Sequence, residues 1–407
     1  MDSLITAAAR ALAAGDPLSA LKRVSLRDDA PALALRGIAM AQLGDLDRAQ
    51  TLLRSASRAF GPREAVARAR CLVAEAEIAL ALRELNWPAK SIEAARATLE
   101  AHGDRLNAAY ARYIQLRRLL LIGRLDEAER MLADFDPTPF PAVWRAAYEL
   151  VTAGIGIRRI RTEVARAALA RAESSARLAG IPGLIAEVES ASRILNAPAA
   201  REIAHGKERI LSLDMVEAVL ASKALVVDAF RYRIRGVGTE VSLVRRPVLF
   251  ALARALSEAW PEDVPRHLLL ARAFGAKFAD ESHRVRLRVE IGRLRRMIGM
   301  WAAVVSTKRG FALRPRFERK VIVLARLAED EHEHASVLAC LADGEAWSSS
   351  ALALALGTSQ RTALRALHSL AEGGRVQSVG RGRSLRWVTP IVPGFTTPLL
   401  LPTFSAD

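Results

Sequence analysis

The segment from Arg284 to Lys320 holds twelve Lys/Arg against two acidic residues, a net +10 in 37 residues. Within it, Leu287, Ile291, Leu294 and Ile298 recur at i, i+4, i+7 and i+11, which draws one narrow apolar stripe along a helix. Such a helix can bury only that edge, so its guanidinium groups must face solvent or another molecule. On a helical wheel Val285, Val289, Gly292, Arg293 and Arg296 fall opposite the stripe. Arg284, Arg288 and Arg295 lie along one flank, and Arg286 along the other. A helix built this way suits a polyanion, and duplex DNA fits because its major groove admits one helix. Arginine-rich helices also arise as plain solvated faces in Ala/Arg-heavy chains, so the flanking segments decide between the two readings.

Those segments carry a definite order. Residues 224–230, 232–234 and 240–243 alternate and are β-prone, with Gly236 and Gly238 marking a turn. Pro247 opens an apolar helix over 248–260, as proline favours a first helical turn. Pro265 begins a second helix over 266–274, stopped by Gly275. After the basic helix come a strand at 302–306, the turn Thr307-Lys308-Arg309-Gly310 and a strand at 311–313. The pattern is sheet, three helices, then a hairpin with cations at its tip.

Residues 224–314 thereby resemble the winged helix-turn-helix domain of OmpR/PhoB-type transcriptional regulators. The resemblance rests on Leu225-Val226-Val227-Asp228, on Val264-Pro265-Arg266 opening the second helix, and on Ala273-Phe274-Gly275 at its end. Ile291-Gly292-Arg293-Leu294-Arg295-Arg296 and Thr307-Lys308-Arg309-Gly310-Phe311 complete it. It implies that helix 284–298 enters the major groove and that Lys308 and Arg309 are wing contacts to the DNA backbone or minor groove. Gly292 stands where the family usually has a basic residue. That removes a contact and costs the helix about 1 kcal/mol relative to Ala, but lets its backbone approach the groove. Base preference therefore does not carry over, and no receiver domain accompanies this one.

A second region repeats the logic. Residues 337–341, 348–356 and 359–372 read as helices, with a Gly357-Thr358 turn, and a hairpin follows over 376–388. Leu364, Leu367 and Leu370 mark the buried edge of the third helix, while Arg361, Thr362, Arg365 and Ser369 point away. The hairpin turn Gly380-Arg381-Gly382-Arg383 places Arg381 and Arg383 at its tip. This resembles the winged helix of bacterial repressors of the MarR or ArsR kind, which implies either DNA contact or dimerisation.

The N-terminal half is helical and repetitive. Gly44-Asp45-Leu46-Asp47-Arg48-Ala49 and Gly123-Arg124-Leu125-Asp126-Glu127-Ala128 are close copies, 79 residues apart. Midway lies the turn Leu85-Asn86-Trp87-Pro88. Gly15-Asp16-Pro17 begins the series and a break near Arg161-Thr162 continues it. Gly37, Ala41, Ala49 and Ala128 are small where helices must approach closely. The Gly-x-Leu-x-x-Ala turn between amphipathic helices resembles tetratricopeptide repeats, here degenerate, with a period of about 39 rather than 34. The resemblance implies stacked helix pairs with a concave surface for a peptide, a partner protein or another protomer.

The reading is a mainly α chain: a tetratricopeptide-like α-solenoid over 1–195, a linker helix over 196–222, and two α+β winged helices over 223–315 and 316–389. An extended, proline-rich tail follows at 390–407. Charge follows this division. Residues 1–195 hold 28 basic and 23 acidic side chains, and 196–407 hold 32 and 21, so most of the +16 excess sits with the DNA-binding patterns. No apolar stretch reaches the ~18–20 residues of a membrane span, and Asp2 replaces a basic signal region, so a cytoplasmic protein with no membrane partner is expected. Cys71 and Cys340 have no metal spacing and read as buried thiols. His332 and His334 lie in an acidic run without a His-Glu-x-x-His pattern, and His283 reads as facing phosphate or solvent. No phosphate loop and no Gly-x-Ser-x-Gly elbow occurs, so neither an enzyme nor a cofactor is expected. RNA binding lacks the aromatic platform it needs, aromatics being 5%. The expected partners are double-stranded DNA, a second copy through the repeats, and RNA polymerase or a regulatory protein. The competing class is a protein-interaction scaffold whose winged helices bind partner proteins.

Overall fold

The computed structural model describes residues 3–13, 15–81, 89–135, 137, 140–236, 238–274, 281–316, 320–325, 327, 334, 337–338, 341, 347–356, 358–380, 382 and 385–388. The turn 85–88, Gly275, His332, Cys340, Gly357, Arg381, Arg383 and the tail 390–407 lie outside the described residues. The chain is mainly helical, with a smaller share of sheet. It divides into two compact units, one of residues 1–155 and 166–192, the other of 156–165 and 193–391.

The first unit is built from successive helices. These are α1 (Ser3–Ala13), α2 (Pro17–Val24), α3 (Ala30–Gln42), α4 (Leu46–Ala59), α5 (Ala65–Ala81), α6 (Ala89–Ala101), α7 (Arg105–Leu121) and α8 (Leu125–Ala133). The chain continues through α9 (Ala142–Arg158), α10 (Thr162–Ala179) and α11 (Pro182–Asn196). Consecutive helices from α1 to α8 pack on each other, and α1 also packs on α3, α3 on α5 and α5 on α7. The helices α3, α5, α7 and α9 begin at 30, 65, 105 and 142, steps of 35, 40 and 37 residues. The repeated glycine turns at Gly44 and Gly123 join α3 to α4 and α7 to α8.

One device makes these joints. Gly44 is left-handed, at φ 89°, a conformation that side-chain-bearing residues resist. It ends α3 with its N–H on the Ala41 carbonyl, while the Asp45 N–H reaches back to Met40, both at 3.0 Å. The Asp45 carboxylate then accepts from the Arg48 N–H at 3.2 Å, capping α4. Gly15-Asp16 and Gly103-Asp104 do the same. Gly123-Arg124 keeps the glycine and lacks the capping oxygen. The Gly103 joint is an addition to the repeats visible in the sequence.

Small residues sit where the helices close on each other. A Cβ added to Gly37 would stand 2.8 Å from Leu53 Cγ, and Ala41, Ala49 and Ala128 are buried. The same core holds charge. Arg117 and Glu187 lie 3.8 Å apart with side chains only 8% and 2% exposed, and the guanidinium sits over the Tyr113 ring. Burial, then the nearby Glu77 carboxylate, pushes the Tyr110 hydroxyl well above its ordinary range. A buried pair of this kind supplies registry more than stability, since desolvation offsets most of its attraction. Cys71 is buried, its thiol pushed up to about 12 by burial and by Glu75, and so is unreactive.

The second unit corrects the sequence reading at its start. Residues expected to form a linker helix over 196–222 instead form a hairpin, β1 (Pro198–Ala204) and β2 (Lys207–Ser212), followed by α12 (Leu213–Ala221). His205 and Gly206, at φ 52° and 68°, make its two-residue turn. Cross-strand pairs Arg201–Glu208 and Arg209–Glu202, at 2.9 and 2.6 Å, line the hairpin. From α12, Glu217 reaches Thr162 and accepts from both its N–H and its hydroxyl.

The sheet continues with β3 (Leu225–Asp228), β4 (Arg233–Gly236) and β5 (Thr239–Ser242), and its centre is β9 (Val321–Ala325). Strand order is β2-β1-β9-β3-β4-β5, with β9 parallel to β3 and antiparallel to β1. Residues 321–325 therefore belong to this sheet and not to the second winged region expected from 316. A continuous apolar run, Val-Ile-Val-Leu-Ala, is what a strand covered on both faces requires, and all five residues are buried. Asp228 ends β3 by accepting from the N–H groups of Phe230 and Arg231 at 2.8 and 3.1 Å. Burial raises its carboxyl above the usual range.

On this sheet sits α13 (Pro247–Glu258), and α14 (Arg266–Phe274) and α15 (Glu281–Ile298) pack on α13 and on a second sheet of β6 (Asp263–Pro265), β7 (Ala302–Ser306) and β8 (Gly310–Pro315), in the order β6-β8-β7. One core gathers Leu252 and Leu256, Leu269, the α15 stripe, Trp301, Phe311 and Val323. Farther on, Val337, Leu338 and Leu341 join α16 (Ser349–Leu356), α17 (Gln360–Glu372) and the hairpin β10 (Gln377–Val379)/β11 (Arg386–Val388) around Leu352, Leu367, Leu370 and Trp387. Ser359 caps α17 by accepting from the Thr362 N–H at 3.1 Å.

Gly310 is the tightest point of the second sheet, since a Cβ there would stand 1.9 Å from the Val264 carbonyl oxygen. Because the obstacle is backbone, Gly310→Ala is expected to destabilise the protein by about 1–3 kcal/mol, read as a lower urea midpoint. An unchanged midpoint would mean that β6 and β8 can separate at no cost.

Candidate nucleic-acid interface

The apolar stripe of α15 is buried, with Leu287, Ile291, Leu294 and Ile298 all 2% exposed or less. Burying that edge fixes the helix's rotation. Arg284, Arg286, Arg288, Arg293, Arg295 and Arg296 are all exposed as the wheel requires. Between them stand Val285 and Val289, 50% and 49% exposed. Gly292 occupies the same face, and nothing lies within 4 Å of where its Cβ would be. No packing demand explains that glycine. It leaves a notch in the helix surface between Arg288 and Arg296.

The arginines separate into two groups that sequence alone does not distinguish. Arg295 donates from Nε to the Val304 carbonyl at 2.7 Å and from Nη2 to the Ser306 hydroxyl at 3.2 Å, and it lies over the Phe311 ring. It fastens α15 to the hairpin. Arg286 lies over the Phe274 ring at 4.7 Å, and His283, expected to face phosphate or solvent, meets that ring edge-on at 6.3 Å. Arg293 pairs with Glu290 at 2.7 Å. By contrast, Arg288 and Arg296 have no ion pair or hydrogen-bond partner among the described residues, so their donors face outward unused.

The hairpin tip shows the same division. Arg266 donates to the carbonyls of Lys308 and Thr307 at 3.1 and 3.3 Å. The Thr307 hydroxyl donates to Asp263 at 2.6 Å and accepts from the Gly310 N–H at 2.9 Å. Arg309, though exposed, is drawn toward Asp263 at 3.7 Å. Lys308 is exposed and unpaired among the described residues. The tip is thus braced from β6, while Lys308 has no partner among the described residues.

In the second region, Arg361, Thr362 and Arg365 are exposed on α17, opposite the buried Leu367 and Leu370. The Thr362 hydroxyl is shared with Ser359 at 2.8 Å. Sequence reasoning missed Arg245 and Arg246, which precede α13 and, with Arg293 and Arg296, line an open cleft of about 720 Å³. Their adjacency to Pro247 was visible, but not their convergence on the end of α15. Among the described residues no helix is long and apolar enough to cross a membrane, and no group of three His, Cys, Asp or Glu is placed to hold a metal ion.

No protein family, curated protein or solved structure matches this chain.

The two groups of arginines should separate in stability measurements. Arg295→Ala strips two hydrogen bonds from the hairpin and is expected to cost about 1 kcal/mol or more. Arg296→Ala should stay within about 0.5 kcal/mol of the parent. Equal melting temperatures for the two variants would show that Arg295 does not brace the hairpin.

Proposed function

We propose that the chain is a sequence-specific DNA-binding transcriptional regulator that works by binding rather than catalysis, in the cytoplasm. In this reading residues 223–325 act as a winged helix-turn-helix domain with α15 in the major groove and the β7–β8 hairpin as its wing. The observation that carries it is the outward face of α15. Unpaired Arg288 and Arg296 flank two half-exposed valines and an open glycine notch, beside a braced hairpin that ends in a free lysine. Arginine pairs with guanine O6 and N7, and valine methyls suit thymine methyl groups. Arg293 reads a base only by giving up Glu290. Arg295 and Arg286 serve to hold the helix, so phosphate neutralisation falls to the remaining cations.

The α17 region is proposed as a second winged helix, for DNA contact or dimerisation. The stacked helix pairs are proposed as a tetratricopeptide-like array that joins two copies or receives RNA polymerase or a regulatory protein. One winged helix covers a short half-site, and two copies on a symmetric site supply the rest. The near-balanced charge of the array lets copies meet without the repulsion that the basic half would suffer.

Titration on duplex DNA tests the reading. If each dimer neutralises on the order of six to ten phosphates, affinity should fall about 10³–10⁵-fold between 50 and 200 mM salt. Arg296→Ala should cost about 1–3 kcal/mol at particular base pairs, whereas Lys308→Ala should weaken all sequences alike. Salt-insensitive binding, or loss that ignores sequence in both variants, would favour the protein-scaffold class or a simple phosphate clamp. Light scattering tests the array: the full chain is expected at twice its 44.2 kDa, and a strictly monomeric mass at binding concentrations would remove dimerisation from the proposal.

A further inference from the structure

We infer that the cleft between the start of α13 and the C-terminal half of α15 is a second seat for the nucleic-acid backbone, gripping phosphates with Arg245 and Arg246. The inference rests on the DNA-binding reading above and extends it to residues outside the recognition helix and wing.

Four arginines, Arg245, Arg246, Arg293 and Arg296, line one open cleft of about 720 Å³, against the single carboxylate of Glu290. That carboxylate is already engaged by Arg293 at 2.7 Å. Arg245 and Arg246 are exposed, and like Arg296 they have no ion pair or hydrogen-bond partner among the described residues. Three unpaired guanidinium groups converging on one concavity repel each other, an arrangement that an anion relieves. Arg246 also immediately precedes α13 as its N-cap, and it offers no capping oxygen to that helix. The positive end of α13 therefore adds to the cleft instead of being quenched by a side chain.

The cleft's geometry points to a backbone rather than to a small anion. It is open to solvent, and Met297, Pro247 and Val248 line it with apolar surface that a sugar can cross. Arg293 and Arg296 belong at once to this cleft and to the outward face of α15. A phosphodiester strand that follows the C-terminal half of α15 is thereby led toward Arg245 and Arg246. These two residues add phosphate contacts without reading bases, fixing how far the helix lies along the groove.

The test compares full-length protein with an Arg245→Gln/Arg246→Gln variant on the same duplex, measuring Kd across salt. A Lys207→Gln/Lys223→Gln variant removes the same charge elsewhere, at β2 on the opposite edge of the sheet from β5 and just before β3. Two lost phosphate contacts should lower the slope of log K against log salt by about 1.8. Raising salt from 50 to 200 mM should then weaken the arginine variant about 12-fold less than the parent. The lysine variant should keep the parent's slope, and Arg245→Lys/Arg246→Lys should restore most of it. Matching slopes for the two glutamine variants would overturn the cleft proposal while leaving DNA binding intact. Absence of DNA binding by the parent would overturn both readings. Competition by inorganic pyrophosphate that abolishes DNA binding at micromolar concentration would overturn the backbone assignment in favour of a small-anion site. Equal melting temperatures of all variants ensure that folding does not produce the differences.

Discussion

The buried edge of α15 is the interaction on which the rest of the second unit depends. Four aliphatic side chains must be withdrawn from water, and a fully buried Leu or Ile contributes about 1.5–3 kcal/mol. No other rotation of the helix gives that burial without taking a guanidinium into the core, where an unpaired charge costs several kcal/mol. Hydrophobic burial therefore aims the arginines, although they contribute little to stability themselves. The sheet, α13 and α14 supply the partner surface, and β9 closes it by placing Val321 and Val323 in the same core.

Once the helix is aimed, its neighbours determine which cations remain available. Arg295 and Arg266 donate into the hairpin, Arg286 rests on Phe274, and Arg293 has Glu290. Arg295 thereby ties α15 to the hairpin, Arg266 ties α14 to the hairpin tip, and Arg286 ties α15 to α14. Arg288, Arg296 and Lys308, which have no partner among the described residues, stand on that braced framework. A helix with every arginine unpaired would carry more charge and less geometry.

Much of this was legible in the sequence, for identifiable reasons. The α15 stripe has four members at unambiguous helical spacing, so both its buried edge and the exposure of Val285 and Val289 could be read directly. Gly44-Asp45 and Gly123-Arg124 could be read because a left-handed glycine before a helix start leaves a local signature. What escaped were contacts between distant segments. The hairpin at 198–212 was hidden because Pro198 and Ala-rich neighbours looked like a helix break, though His205-Gly206 between alternating residues was its available signal. Strand β9 pairs with β1 and β3 across more than 90 residues, so its place at the sheet centre has no local mark beyond an apolar run. The tying of Arg295 and the gathering of Arg245 and Arg246 beside Arg296 are likewise products of the fold.

The same distinction between local and distant determinants explains how the two units differ in character. In the first, several joints are made by a left-handed glycine followed by a capping residue, as at Gly15-Asp16, Gly44-Asp45 and Gly103-Asp104, and the helices from α1 to α8 meet chiefly their sequence neighbours. Its buried Arg117–Glu187 pair is an exception, joining α7 to α11 across 70 residues of sequence. In the second, β1, β3 and β9 come from three separated segments and must all be present before the sheet has a centre. The helix α15 packs on α13, α14 and β7, and α13 in turn packs on β1, β3 and β9. The outward arginine face is thus conditional on long-range folding, whereas the array's surface is assembled piece by piece.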